Sequence, residues 1–162
     1  MKRPADLDAA DIRILAVLQD DGSLSVAAVA ERVNLSTNAC WRRIKRLEDE
    51  GVIKRRVALL DAEALGVGVT VFVSVRAAEH SEAWAAQFSA AVDAIPEVVE
   101  FYRMSGETDY LLKVQVASIA AYDGVYKRLV SKVRLTDVSS AFAMQELKHT
   151  TALPLPDPKS AD

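Results

Sequence analysis

The chain has 162 residues, enough for one ordinary domain or two small ones, and 51% of them are apolar, so a buried core is feasible. A formal net charge of −3 argues against a nucleic-acid partner, because a polyanion is drawn to positive surface, but that average hides a gradient. Residues 1–60 hold eleven Lys/Arg against nine Asp/Glu, residues 61–162 hold nine against fourteen, and residues 42–56 alone hold seven basic side chains against three acidic ones.

The opening stretch MKRPADLDAADIRIL meets acids too early to supply the apolar core of a signal peptide, and no run approaches membrane-spanning length. A cytoplasmic protein with no membrane partner is expected. From Asp8 to Asp20, Ile12, Leu15, Ala16 and Leu18 recur at helical spacing until Asp21-Gly22 stops them. Ser25 can cap a second, short helix whose Val26, Val29, Ala30 and Val33 follow the i, i+3, i+4, i+7 rule. Ser36 caps a third, with Cys40, Ile44 and Leu47 on one face and Gly51 as its stop.

Two short helices joined by the tight turn Val33-Asn34-Leu35, the second of them basic, have helix-turn-helix spacing. If Cys40, Ile44 and Leu47 point inward, the step of about 100° per residue turns Asn38, Trp41, Arg42 and Lys45 outward. These four, with Thr37 beside the cap Ser36, are the candidates for contacting base edges of double-stranded DNA. Asn and Arg present paired groups that match a base edge. Arg43, Arg46, Lys54, Arg55 and Arg56 suit phosphate contacts instead. A merely solvated charged face would require neither cap, short helix, tight turn nor basic flank, and here they occur in order.

Val52 to Leu60, VIKRRVALL, is β-branched and basic and predicts a short hairpin or wing. These elements place a winged helix-turn-helix DNA-binding domain over residues 1–58 and a hinge over 59–66. Beyond the hinge the composition changes, and Val67, Val69, Val71, Val73 and Val75 alternate as in a strand. Ser81 caps a helix bearing Trp84, Phe88, Ala91 and Ile95, which Pro96 ends. Strands follow over Val98–Met104 and Tyr110–Val116, then a helix with Tyr122, Val125, Tyr126, Leu129 and Val133, then a strand over Val138–Leu147.

The order βαββαβ is the ferredoxin-like arrangement, an α+β fold with two helices on one face of an antiparallel sheet and the other face bare. That domain is assigned to residues 67–153. A bare face carrying several large apolar side chains invites a second copy of the chain. Residues 154–162, rich in proline, read as an extended tail with a disordered tip.

The blocks LDAADIRILAVLQDDG, LSTNACWRRIKRLEDEGVIKRRVALLD, ALGVGVTVFVSV, PEVVEFYRMSGETDYLLKVQV and SSAFAMQELKHTTALPL resemble, in order, the Lrp/AsnC family of transcriptional regulators, from about Leu7 to Leu155. Within it, CWRRIKRLE and SSAFAMQ are most similar to a cysteine-responsive branch. The resemblance implies a sequence-specific regulator of amino-acid metabolism that forms dimers, assembled into tetramers or octamers. It also implies a small amino-acid effector, with cysteine first, held between subunits by Met104, Gly106, Asp109, Thr136, Ser139 and Ser140. Gly106 would let backbone amides approach a carboxylate, and Asp109 could accept hydrogen bonds from an ammonium group. The family often places a proline before the cysteine of the recognition helix. Here that position is Ala39, so base preference is expected to differ in detail.

Neither His80 nor His149 has neighbours at catalytic or metal-ligand spacing, and no GxxxxGK loop occurs, so no enzyme, metal or cofactor is expected. A solvated position suits His80 and an interface suits His149. Cys40 sits among cations that would stabilise a thiolate, yet its helical position assigns it to the core. As the only cysteine it can form no disulfide within the chain. Two other functions fit parts of the pattern: a chromosome-organising DNA-binding protein, and an amino-acid-binding allosteric module without direct gene control. The basic first domain argues against the second of these.

Overall fold

The computed structural model describes residues 5–156, and the last part of the tail expected to be disordered lies outside that range. The chain forms two compact units, Met1–Leu59 together with Lys148–Asp162, and Leu60–Leu147. The first unit is built on three helices. α1 (Ala9–Asp20) begins at the cap Asp8, whose carboxylate accepts the amides of Ala10 and Asp11, while the Asp11 side chain accepts the Asp8 amide. This reciprocal box satisfies donors that a helix start leaves open. α2 (Val26–Arg32) and α3 (Thr37–Asp49) start at Ser25 and Ser36, each accepting the amide three residues on.

Between α2 and α3 the chain reverses through Asn34, whose φ of +56° is one that asparagine tolerates better than most side chains. The tightness of that turn brings Val29, Ala30 and Val33 against Cys40, Ile44 and Leu47, with Ile14 of α1 completing a closed core. Each fully buried Ile or Leu there contributes about 1.5–3 kcal/mol relative to exposure. Cys40 is wholly buried, as its helical position implied.

The expected hairpin over 52–60 does not form. From Lys54 to Leu60 the chain is irregular and exposed, with no ladder partner among the described residues. From Lys148 the chain clusters with the first unit, where the Gln19 side-chain amide donates to the Leu153 carbonyl and its oxygen accepts the Leu153 amide, both at 3.0 Å. Sequence periodicity has no signal for such a contact.

The second unit has the expected order: β1 (Val69–Ala77), α4 (Glu82–Asp93), β2 (Val98–Arg103), β3 (Tyr110–Val116), α5 (Ile119–Lys132) and β4 (Leu135–Phe142). The strands lie in the order β2-β3-β1-β4, all neighbours antiparallel. Val71, Val73, Val75, Leu112 and Val114 face Trp84, Phe88, Val92, Tyr122, Val125 and Leu129 in one core. Phe88, wholly buried, contacts the rings of Trp84, Phe101 and Tyr110.

β4 starts and ends earlier than its sequence suggested. Its partner β1 begins at Val69, the pairing runs out at Val71 with Phe142, and Ala143 makes one last bond to Thr70. Residues 144–147 have no partner left in the ladder. The bare face is also more mixed than expected. Phe72, Tyr102 and Leu111 share it with the Glu100–Lys113 ion pair, the Thr70–Gln115 hydrogen bond and the opposed pair Arg76 and Asp137.

Candidate DNA-reading surface and effector site

α3 has three faces. Cys40, Ile44 and Leu47 are inside, and Thr37, Asn38, Trp41, Arg42 and Lys45 are exposed on the far side. Trp41 is 54% exposed, an apolar ring for which the core has no use. Lys45 pairs with Asp49 at 2.8 Å on the same surface, a solvated i, i+4 contact of small energetic weight. Among the described residues no ion pair involves Arg42, Lys54 or Arg55, so their charges are available to a polyanion. Arg56 lies 3.4 Å from Glu48.

The third face carries ion pairs that the sequence reading did not anticipate. Arg43 and Arg46, expected to clamp phosphates, turn instead toward the start of α1. Asp11 is completely buried; its Oδ1 accepts from Arg43 at 2.9 Å and its Oδ2 from Arg46 at 2.5 Å. Arg43 also donates to Asp8 at 2.6 Å. The Asp11 amide and the Arg43 guanidinium hold the Asp8 carboxyl down at about 2, and the aspartates in turn push both arginines above their ordinary value. Burial alone raises the Cys40 thiol, opposing the thiolate that nearby cations would favour.

The six positions proposed for an effector do not converge within one chain. Met104, Gly106, Asp109 and Thr136 lie at one end of the sheet, where β2 turns into β3 and β4 begins. There the β1–β4 register shifts between Arg76 and Ala77, and the backbone of Ala77 is served by side chains. Asp109 Oδ2 accepts the Ala77 amide at 2.8 Å, and the Thr136 hydroxyl donates to the Ala77 carbonyl at 3.0 Å. The other Asp109 oxygen lies 3.7 Å from His80 Nδ1, so the expected ammonium acceptor already has work in the fold.

Gly106 has a φ of +107° and no atom within 4 Å of where a Cβ would stand, so the turn is open to an approaching group. Ser139 and Ser140 oppose Ser74 and Val73, and adjacent strand residues point to opposite faces. Ser139 therefore lies on the bare face, whereas Ser140 lies under α5, hydrogen-bonded to the Tyr122 hydroxyl. Burial pushes the Tyr122 phenol up. A shallow depression of about 610 Å³ between α5 and β4 is lined by Tyr126, Val130, Arg134, Thr136, Asp137 and others, and Thr136 is the one predicted effector residue in it.

Residues 7–54 match a winged helix-turn-helix DNA-binding family, and residues 70–153 match the Lrp/AsnC ligand binding domain. The chain belongs to the Lrp/AsnC family. This Lrp/AsnC regulator is 58% identical to the glutamate uptake regulatory protein of Zymomonas mobilis, across 93% of this chain and 92% of that one. It is 51% identical to the DNA-binding transcriptional activator DecR of Escherichia coli, across 92% and 99%. A transcriptional regulator of Neisseria meningitidis, solved in complex with L-Met, superposes with a TM-score of 0.87 at 39% identity, covering 91% of this chain and 96% of that one. The protein is a DNA-binding transcriptional regulator with an Lrp/AsnC ligand binding domain.

Sequence reasoning missed Asp8, Asp11 and Tyr122. The spacing of Asp8 and Asp11 could have suggested the capping box, but nothing local pairs Asp11 with arginines more than thirty residues away.

Proposed function

We propose that this regulator reads a pseudo-palindromic operator as a homodimer or a larger assembly, under control of a small amino acid. In this reading Thr37, Asn38, Trp41 and Arg42 meet base edges, with Lys45 at their margin and Ser36 fixing the helix start. Lys54, Arg55 and Arg56 meet phosphates. The observation that carries it is the outer face of α3, which presents an exposed tryptophan, an asparagine and an unpaired arginine opposite a closed apolar core. Two such helices in successive major grooves lie about 34 Å apart, or a multiple of that. The mixed bare face of the sheet, with Phe72, Tyr102 and Leu111 among polar pairs, offers a surface for the second copy.

The effector binds between subunits at the open Gly106 turn, with Met104 and Ser139 contributing side chains and Asp109 and Thr136 shaping the wall. The L-Met complex of the Neisseria relative supports an amino acid as ligand. Cysteine remains the first candidate from the branch resemblance. The higher identity to a regulator of glutamate uptake puts glutamate and methionine in the same screen. The site of action is the cytoplasm, where the target DNA is.

Operator binding with Arg42→Ala and Arg55→Ala tests the assignment. Arg42→Ala is expected to cost about 1–3 kcal/mol and relax base preference, whereas Arg55→Ala weakens all sequences alike and lowers the salt slope by about one. Unchanged binding in both removes the reading. Footprinting over the genome separates local control, with few protected promoters, from chromosome organisation, with hundreds of weak sites.

A further inference from the structure

We propose that Asp11 is a positioning residue for DNA reading: its buried carboxylate holds Arg43 and Arg46 away from the phosphate backbone and sets α3 in place against the start of α1. The proposal rests on α3 being the reading helix. One completely buried carboxylate engages two arginines with its two oxygens, while Oδ2 also takes the Asp8 amide at 3.1 Å. The cap itself needs only that last contact. Burying a charge among three donors is costly, and an apolar side chain would stabilise the helix contact as well or better. Its use here fits a task of orientation rather than of stability.

The guanidinium side chains of Arg43 and Arg46 remain 32% and 40% exposed, on the flank of the outward face of α3. Unheld, they would reach any nearby phosphate, and phosphate contacts carry no sequence information. Asp8 and Asp11 together halve the local excess of four positive charges that residues 42–56 present. The charge left toward DNA is then carried by residues placed to read or to flank the groove.

The test is salt-dependent binding of the full-length protein to operator and to random duplex DNA. Asp11→Asn removes the carboxylate that both arginines share, leaving Arg43 its pair with Asp8 and Arg46 its more distant contact with Glu50 at 3.9 Å. The slope of log affinity against log salt is expected to steepen by up to about two, since each added phosphate contact contributes about 0.9. Affinity for random DNA rises, and the operator-to-random ratio falls on the order of tenfold. Asp11→Asn that is folded but keeps the wild-type slope overturns the proposal.

Should Asp11→Asn fail to fold, Arg43→Gln decides, because Arg46 still pairs with Asp11 there. An unchanged slope supports the proposal, and a slope lower by about one, with weaker binding to every sequence, shows Arg43 on phosphate and refutes it. Arg42→Ala is run alongside. If it retains full operator preference, α3 is not the reading helix and the proposal falls with that reading, whereas a lost preference leaves the Asp11 result to stand by itself.

Discussion

Replacing Asp109 by alanine removes the acceptor of the Ala77 amide at the point where β1 and β4 lose register. A backbone amide left without its partner in a partly buried place costs about 1–3 kcal/mol. The Asp109 side chain is 28% exposed, so water can replace part of the bond and the lower half of that range applies. For a unit of this size, about 1 kcal/mol lowers the melting temperature by roughly 4–8 °C. Asp109→Asn separates the two roles the residue could have: its amide oxygen can still accept from Ala77, but its charge for an ammonium group is gone. Thermal unfolding of the 60–147 unit, followed with and without amino acid, should show a clear loss for Asp109→Ala and a small one for Asp109→Asn. Asp109→Asn should also keep its ligand-induced shift. A melting temperature for Asp109→Ala equal to wild type, or loss of the ligand shift in both variants with stability intact, would refute the structural role and return Asp109 to direct ligand contact.

Phe88→Ala empties a site surrounded by three other rings and is expected to destabilise the second unit by about 3–5 kcal/mol, read by chemical denaturation; a cost below 1 kcal/mol would contradict the packing described. Asp8 has a folded carboxyl depressed from 3.8 to about 2, so its contribution is fully present above the unfolded value and is lost as pH falls through about 2. Denaturation at a series of pH values should therefore show Asp8→Asn losing stability near neutrality and converging on wild type at the acid end; parallel curves would rule the linkage out. Cys40, buried with its thiol pushed up, is expected to resist a thiol reagent in the native protein and to react on unfolding, and rapid native labelling would count against its place in the core.

Much of the first unit was legible because its signals are local. Ser25 and Ser36 cap, Asn34 turns, and Cys40, Ile44 and Leu47 repeat at the helical period, so the outward set from Asn38 to Lys45 follows from the inward one. The order of strands and helices in the second unit followed in the same way from alternation and caps. That Ser139 and Ser140 point to opposite faces of the sheet was also legible, since neighbours on a strand face opposite ways, whereas the family resemblance placed both at the effector without regard to the pleat.

Sequence by itself thus determined which residues each helix and strand turns inward, because periodicity and capping act within a few residues. Tertiary structure alone decided which charges are free. Arg42 and Arg43 are neighbours of the same kind on one helix, yet Arg43 meets Asp8 and Asp11 while Arg42 meets none of the described acids. The same holds for Asp109 and Thr136 on the backbone of Ala77, and for Gln19 on Leu153. Such pairings depend on how elements far apart in the chain pack together, and no pattern within a single element carries that information.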